Sequence, residues 1–577
     1  MKFFHVYNDQ YFAGLEKNGL INEDTGFKIQ HVFSMTEDMK FNRYAAVGSK
    51  LHRYMTENRF PFYVDRIAGG VTYQTYAFDK TLIAAYRRLL GEWFLGFQQH
   101  ETAGTRQWDW QHVEDRMQGQ PYPFDVETLK EKSLSEYAVT PDGQRLYQLI
   151  QGTPEEYAAL PFPNTFADVV DDFLHLFRQR MQATDGMILP VDSYWLLTHM
   201  QNELGMENFM PEVGCQIAHM RIAVAMARGM ALANGKKWGV YYECWRTIKP
   251  YIGATMPCFN REPVNEWYLT QETHRDDFTT YGPHGGSSRL LQKRIYYYGL
   301  MAGAMMMSEE WGLHCSYEEM KGDFPLSTYG QVKKDFIEFA RGHKNVRARV
   351  PFAVVLPKEC PYVDLKKCDT PIGARYTTTF QQPLTRDETD MFGCVEDVLK
   401  LIFQRDPETV CGTEGHVMQN SRFGDLFDLV YEDVPRAALA KYELLIDTSV
   451  SGRMTKENPA LPFVHYQAGR AEALAQVIEN KTKELLPLTC DRLMWLLSED
   501  EHGRYLSVFN NEGNERNLEW GDRILHAADG VTEITLREPM ALSLLYASSP
   551  DVKLTQKGEK NYALFLPAAQ FAILRMP

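Results

Sequence analysis

The sequence predicts an α/β protein: a (β/α)8 TIM barrel followed by a small doubly wound α/β domain and a C-terminal antiparallel β domain. Three observations predict it. Over residues 1–345, short β-branched or aromatic runs alternate with helical patterns, as in parallel β/α units. From residue 346 the alternation of strand and helix patterns covers a shorter segment, and from residue 485 strand patterns follow one another without helices. We therefore predict domains at 1–345, 346–484 and 485–577.

Eight runs in the first domain qualify as barrel strands. They cover residues 2–7, 27–33, 60–67, 93–100, 187–194, 208–213, 238–244 and 304–311. Helices are predicted at residues 42–56, 78–90, 165–182, 195–204, 217–233, 287–301 and 331–340. Gly91 and Gly205 follow two of these helices, where glycine commonly caps a helix. The longest insertion, residues 102–163, is predicted to lie over the catalytic face.

The second and third domains are predicted from shorter patterns. The segment 346–484 contains VPFAVVLP, a helix at 395–403, LFDLVYED, YELLIDTS and a helix at 471–478. This order is typical of a doubly wound unit, although no GxGxxG follows its first strand, which argues against nucleotide binding. The runs RYLSVFNN, VTEITL, ALSLLYA and YALFLPAAQFAILRM predict a β-sandwich-like third domain.

Composition excludes several classes of function. With 76 Asp+Glu against 61 Lys+Arg, the net charge of −15 opposes binding to nucleic acid or to an anionic membrane. The start, MKFFHVYNDQ, predicts a strand and not a signal peptide, and no later apolar run approaches the roughly 20 residues of a membrane helix. We therefore predict a cytoplasmic protein.

The cysteines give no metal or disulfide signal. The nine cysteines are odd in number, scattered, and contain no CxxC pair, which predicts reduced thiols. No cofactor and no metal site is predicted from them. A metal bound by residues that are distant in the sequence is left open by this spacing argument.

Acidic residues gather at the predicted carboxyl ends of the barrel strands, where barrel enzymes carry their chemistry. Glycoside cleavage needs one carboxylic acid to protonate the leaving oxygen and one carboxylate beside the anomeric carbon. Glu101, after the fourth strand, and Glu243, at the end of the seventh, are the candidate catalytic pair. Any single acid here is also consistent with a strand end in water, so the number of acids carries the argument. The predicted acidic rim contains Asp65, Glu101, Asp192, Glu212, Glu243, Glu309 and Glu310.

Other rim residues are candidates for binding substrate. Glu212 is predicted to contact substrate or to raise the pKa of a neighbouring acid. Strand alternation turns only one of Glu309 and Glu310 inward, and Glu310 is preferred. Histidine suits hydroxyl recognition and tryptophan suits stacking on sugar, although both residue types often have structural roles. The full set of candidate binding residues is His100, Glu212, Glu310, Trp245, Asp192, Tyr194, Arg66 and His284.

The seventh and eighth strand region resembles a known group of enzymes. The order GMALANGKKWGVYYECW, a loop, and GGSSRLLQKRIYYYGLMAGAMMMSEEW is similar to clan A glycoside hydrolases, and in layout to the family 42 β-galactosidases. The motif-level resemblance covers about 80 residues, and the domain order is also similar: barrel, amidotransferase-like α/β domain, small β domain. The resemblance implies a retaining enzyme with Glu243 as nucleophile and Glu101 as acid/base. The clan usually has Asn before the fourth-strand glutamate, whereas this chain has His100.

The resemblance also implies a small carbohydrate substrate and oligomer contacts, as a trimer or dimer, through the α/β domain. Two rival classes are weak. A metal-dependent barrel hydrolase would have paired histidines at the end of its first strand, where only His5 occurs, and no cysteine follows YELLIDTS to act as an amidotransferase nucleophile. The remaining alternative is a noncatalytic carbohydrate-binding or scaffold protein on a degenerate glycosidase barrel.

Overall fold

The computed structural model describes most of the strands and helices of the chain. The described residues are 1–7, 9–29, 50–64, 91–100, 184–192, 195–214, 220–243, 246–248, 253–255, 289–310, 316–317, 322–361, 384–403, 418–511, 514–515, 524–525 and 529–577, with isolated helical positions between 84 and 182. The predicted helices at 78–90 and 165–182 are described only at such isolated positions, and the predicted insertion 102–163 lies almost wholly outside the described residues.

Eight parallel strands form a closed barrel. They are β1 (Lys2–Tyr7), β2 (Thr25–Ile29), β3 (Phe62–Val64), β4 (Phe94–His100), β5 (Ile188–Asp192), β6 (Asn208–Gly214), β7 (Lys237–Glu243) and β8 (Met306–Glu309). Each strand pairs with the next in chain order, and β8 closes the ring against β1, with Met306 beside Lys2. The predicted β/α barrel is confirmed, and every predicted barrel strand overlaps an observed one.

Helices follow the strands of the barrel. They are α1 (Asp9–Lys17), α2 (Lys50–Asn58), α3 (Thr198–Glu203), α4 (Met220–Asn234), α5 (Arg289–Met301) and α6 (Thr328–Arg341), with single 3-10 turns at Gly91–Trp93 and Trp195–Leu197. The sequence analysis did not predict α1, which is only 9 residues long and buries Phe12 and Leu15. Helix α6 begins where predicted within a few residues, because the side chain of Ser327 accepts a hydrogen bond from the Gly330 amide and caps the helix.

Side chains fill the inside of the barrel. A separate buried cluster combines residues from six strands: Phe4, Tyr63, Leu189, Val191, Met210, Tyr241 and Met306. Their strand neighbours Phe3, Phe62 and Phe209 pack instead in the main core, as strand alternation requires. The barrel therefore has a packed floor and not an open channel.

One glycine fixes the geometry of β4. Gly96 has φ +100°, and a Cβ there would lie 2.4 Å from the carbonyl oxygen of Met187. The pairing of β3 with β4 is irregular between Phe62 and Val64, next to this position. Only glycine fits this close approach, so Gly96 sets the path by which β4 reaches His100.

The second segment contains a parallel sheet. Its strands are β9 (Phe352–Leu356), β10 (Phe427–Tyr431), β11 (Leu444–Asp447) and β12 (Phe463–His465), in the spatial order β10-β9-β11-β12. Its helices are α7 (Arg386–Phe403), α8 (Arg436–Leu439), α9 (Arg453–Glu457) and α10 (Ala471–Leu485). Parallel α/β structure is thus present in this segment, and the doubly wound arrangement remains a prediction.

The C-terminal segment is antiparallel, as predicted. One sheet has the order Arg347–Ala348, Met494–Asp500, Gly503–Phe509, Phe571–Met576, Ser543–Ala547, and a second has the order Leu488–Cys490, Gly530–Leu536, Asn561–Leu566, Lys553–Gln556. In the same segment, Asn514–Glu515 pairs with Ile524–Leu525 in a two-stranded sheet. Another two-stranded sheet follows barrel strand β7 in the chain and pairs Arg246–Ile248 with Gly253–Thr255. The chain therefore contributes one strand to the C-terminal sheet, at residue 347, before it enters the parallel sheet.

Among the described residues no helix combines the length and apolarity needed to cross a bilayer.

Helix α4 of the barrel packs against β10 through a buried charged network. The guanidinium of Arg228 donates to the carboxylates of Asp428 at 2.6 Å and Asp425 at 3.0 Å, and to the carbonyl of Phe427 at 3.0 Å. Burial alone would lower the pKa of Arg228, but the two carboxylates outweigh it and raise that pKa. The next residue, Gly229, lets the elements approach, because a Cβ there would lie 2.3 Å from the carbonyl of Leu429.

Candidate active site at the carboxyl end of the barrel

The structure places some of the predicted site residues. Asp192, Glu212 and Glu310 are described with their side chains, and His100 and Glu243 are described at the backbone. The other candidates lie outside the described residues: Asp65, Arg66, Glu101, Tyr194, Trp245 and His284. For these six, the assigned roles remain predictions.

Strand register brings the described candidates to one end of the barrel. His100 ends β4, Asp192 ends β5 and Glu243 ends β7. Asp192 pairs with Pro211 on β6, Glu212 with Tyr241 on β7, and Glu243 with Gly214. Because all eight strands are parallel, their carboxyl ends surround one opening. His100, which directly precedes Glu101 in the sequence, ends a strand three positions around the ring from the strand of Glu243.

The three described acids are buried. Asp192 is 6% exposed, Glu212 is 1% exposed and Glu310 is 2% exposed. Asp and Glu side chains are seldom buried to this degree at a protein surface. The interpretation of these acids as strand ends that face water is therefore wrong for all three. Asp192 follows Val191, a member of the inner cluster, so alternation turns the Asp192 side chain away from the barrel axis.

Alternation places Glu212 toward the barrel axis. Met210 belongs to the cluster inside the barrel, and Glu212 stands two residues further along the same strand. Successive side chains of a strand point to opposite faces, so Glu212 shares the inner face with Met210. Its pairing with Tyr241, another member of the inner cluster, agrees with this position.

Glu309 and Glu310 differ in what they contact. The Glu309 carboxylate accepts a hydrogen bond from the hydroxyl of Tyr296 on α5 and lies 2.6 Å from Nζ of Lys333 on α6. Glu309 therefore faces the helices outside the barrel. Strand alternation then favours Glu310 for the inner face, although its contact with substrate remains a prediction.

Sequence analysis missed one buried cation at this end. Lys28 on β2 is fully buried, and its Nζ donates to the hydroxyl of Tyr241 at 2.6 Å, to the carbonyl of Glu309 at 3.0 Å and to the carbonyl of Glu310 at 2.7 Å. Its side chain thus crosses the barrel from β2 to β7 and β8 and holds the backbone of the strand-end acids.

A sequence signal for Lys28 exists. It stands in TGFKI between Phe27 and Ile29, both fully buried in the main core. A charged residue between two outward apolar residues of a barrel strand faces the barrel interior. A lower layer carries a second cross-barrel contact, a 2.6 Å hydrogen bond between the hydroxyls of Tyr63 and Ser308.

The arrangement suits acid–base chemistry on a neutral substrate. Carboxyl groups at the strand ends of a β/α barrel are the groups that general acid–base catalysis uses. Among described residues at this end, no three His, Cys, Asp or Glu side chains lie close enough to share a metal ion. Elsewhere in the described part of the chain, one group of three such side chains occurs, formed by His199, Glu203 and Asp433.

The fold and this site define a closed, parallel β/α barrel with an acidic carboxyl end. Comparison of the sequence with protein-family models and with curated proteins finds no match.

Among solved structures, the chain is similar to α-L-fucosidase isoenzyme 2 from Paenibacillus thiaminolyticus, with a TM-score of 0.45, 10% identity, and coverage of 99% of this chain and 97% of that one. It is also similar to the catalytic module of a family 98 glycoside hydrolase from Streptococcus pneumoniae TIGR4, with a TM-score of 0.38, 8% identity, and coverage of 99% and 98%. Both TM-scores are below 0.5, so these two structures say nothing about the activity of this chain.

Proposed function

We propose that this protein is a glycoside hydrolase that cleaves small saccharides or glycosides, with Glu243 as nucleophile and Glu101 as general acid/base. One observation carries the proposal. The closed barrel brings Glu243 to the end of β7, at the same end as the buried acids Asp192, Glu212 and Glu310. This is the end of a β/α barrel at which catalytic residues occur.

The proposed reaction is a double displacement. Glu243 attacks the anomeric carbon while Glu101 protonates the leaving oxygen, which gives a glycosyl-enzyme and a free alcohol. Glu101 then removes a proton from water, which attacks the anomeric carbon, releases Glu243 and retains the configuration. The carboxyl groups of Glu101 and Glu243 should then lie about 5 to 5.5 Å apart, whereas an inverting enzyme needs about 6.5 to 9.5 Å.

The remaining candidates support this reaction. Glu212 is assigned to substrate contact and to raising the pKa of a nearby acid, since a like charge disfavours ionisation. His100 takes the position of the usual Asn, and either it donates to the sugar 2-hydroxyl in place of that Asn or the sugar differs at that position. The other substrate-binding residues are proposed to be Asp192, Glu310, Tyr194, Arg66, Trp245 and His284.

Finer predictions belong to the same proposal. They are β-galactosidase-like specificity, similarity to family 42, a cytoplasmic location, and a trimer or dimer formed through segment 346–484. A panel of nitrophenyl glycosides tests specificity, and NMR of the first product anomer tests retention. Sedimentation of the full chain tests the oligomer.

The nucleophile is tested with Glu243→Gln on the best substrate of that panel. We expect kcat to fall by about 10³-fold or more, because the covalent step is lost. Added azide should restore turnover in Glu243→Ala, because the shortened side chain leaves space for azide to attack the anomeric carbon in place of the carboxylate. Glu338→Gln, an exposed glutamate on α6, is the matched control and should leave kcat unchanged.

Two outcomes contradict the proposal. Unchanged turnover in Glu243→Gln would remove the nucleophile assignment. Binding of a sugar, measured by calorimetry, without turnover of any glycoside in the panel would instead support the noncatalytic alternative.

A further inference from the structure

A cluster of three metal-binding residue types lies away from the strand ends of the barrel. It joins His199 and Glu203 on α3 to Asp433, which follows β10 in the parallel α/β segment. Nε2 of His199 lies 3.5 Å from a carboxylate oxygen of Glu203 and 3.7 Å from one of Asp433. One ligand atom from each residue fits within 4.8 Å of the other two.

These separations suit ligands of a shared ion better than direct hydrogen bonds. An N–H···O hydrogen bond spans about 2.7 to 3.2 Å. Tetrahedral Zn²⁺ holds nitrogen and oxygen ligands at about 2.0 to 2.2 Å, which places two ligands about 3.3 to 3.6 Å from each other. The His199–Glu203 separation falls within that range, and the His199–Asp433 separation falls just outside it.

The imidazole of His199 is held in place before any ion binds. The side chain is 2% exposed, and its ring packs on Tyr431 with centroids 4.5 Å apart. The hydroxyl of Tyr431 in turn donates to the carbonyl of Leu196 at 3.1 Å. Within the described part of the chain, Nδ1 of His199 has no hydrogen-bond partner. Nε2 of this buried imidazole lies near two carboxylates at separations longer than a hydrogen bond, which leaves room for an ion between the three side chains.

Access and charge also fit a cation. The side chains of Glu203 and Asp433 are 48% and 43% exposed, so an ion can enter from solvent. The i, i+4 spacing on α3 puts His199 and Glu203 on one helix face. Two carboxylates and an imidazole are ligands that a divalent transition-metal ion accepts.

We propose that His199, Glu203 and Asp433 form a site for one divalent transition-metal ion of the zinc type, with water completing the coordination. The imidazole favours zinc, cobalt or nickel over magnesium or calcium. A bound ion would tie helix α3 of the barrel to the turn after β10, and so stabilise the contact between the barrel and the parallel sheet. The inference is independent of the proposed hydrolase activity.

The experiment uses the full chain, stripped with a chelator and titrated with ZnCl2 in a calorimeter. We expect one zinc ion per chain at this site and a melting temperature that rises with zinc concentration. Co²⁺ in place of zinc should give the visible absorption of a four-coordinate site. MgCl2 at the same concentrations should produce neither the heat nor the thermal shift.

Variants assign the ion to this cluster. Asp433→Asn changes an exposed side chain and should weaken zinc binding about 10- to 100-fold with no loss of folding. His199→Gln should abolish binding. His502→Gln is the matched control, because exposed His502 also lies 3.5 Å from a glutamate, Glu501, but has no third described ligand. Unchanged zinc affinity in folded Asp433→Asn, or no zinc binding by the native chain, would overturn the proposal.

Discussion

The contact between α4 and β10 and the carboxyl end of the barrel each bury a basic side chain completely, but the partners of that side chain differ. At the contact between α4 and β10, Arg228 forms ion pairs with Asp428 and Asp425. At the carboxyl end of the barrel, Lys28 donates to a tyrosine hydroxyl and two backbone carbonyls. Arg228 is neutralised by its direct partners, whereas Lys28 holds the backbone that carries strand-end acids. The first arrangement joins a barrel helix to the parallel sheet, and the second lies at the end of the barrel that carries the candidate site.

Two tyrosine hydroxyls extend the Arg228 network. Tyr442 donates to Asp428 at 2.9 Å, and Tyr298 donates to Asp425 at 3.1 Å. Burial raises the pKa of Asp428, and the nearby Arg228 opposes that rise. Such a network offsets the free-energy cost of desolvating its charges only when all members are present, because removal of one charged side chain leaves another buried charge uncompensated.

The largest effect is expected from Arg228→Met. Removing the guanidinium leaves Asp428 buried without its cation and leaves Asp425 with only the longer contact to Arg221 at 4.0 Å, so the free energy of unfolding should fall by about 3 to 5 kcal/mol. Urea denaturation measures it. Arg422→Met provides the control, because Arg422 pairs with Glu472 in solvent and its loss should cost no more than about 1 kcal/mol. Equal costs for the two variants would show that burial does not distinguish the pairs.

A smaller stability effect, but a larger effect on activity, is expected from Lys28→Met. The variant leaves the hydroxyl of Tyr241 and the carbonyls of Glu309 and Glu310 without this donor, at a cost of about 1 to 3 kcal/mol. If Lys28 positions the site, kcat should also fall about 10-fold or more in protein that is still folded. Arg228→Met should leave the kcat of its folded fraction unchanged. A Lys28→Met variant with normal kcat would make the two cations equivalent structural residues.

The smallest effect concerns a third buried basic group, His5 on β1, which burial keeps neutral. Burial and, to a smaller extent, nearby Lys333 lower the pKa of His5, and a hydrogen bond from Nε2–H to the carbonyl of Leu20 opposes both. The resulting pKa is about 3. Below about pH 6.5 the unfolded chain binds a proton that the folded chain refuses, so stability decreases as pH falls from about 6.5 toward 3.

A substitution of His5 should remove this pH dependence of stability. His5→Gln keeps a donor for Leu20 but does not titrate. Between pH 7 and pH 5.5, the native chain should lose about 1 kcal/mol more stability than the variant, measured by urea denaturation at each pH. Parallel pH profiles for the two proteins would show that His5 is protonated in the folded state.

The local patterns of the chain determined much of the architecture. Short β-branched or aromatic runs identified all eight barrel strands, and the strand count put Glu243 at the end of the seventh, where the structure has it. The short helix α1 was missed because its pattern spans barely two turns. The contribution of Arg347–Ala348 to the C-terminal sheet was missed because its partner strand lies about 150 residues later.

Contacts between distant segments were decided only by tertiary structure. Strand alternation says that one of Glu309 and Glu310 faces inward, but only the packing of α5 and α6 against β8 shows that Glu309 faces the helices. In the same way, Lys28 meets the backbone of β8, and Asp433 meets His199, only once the barrel closes and the parallel sheet packs beside it. Periodicity reports which face of an element is buried, whereas the partner buried against that face depends on how the elements pack together.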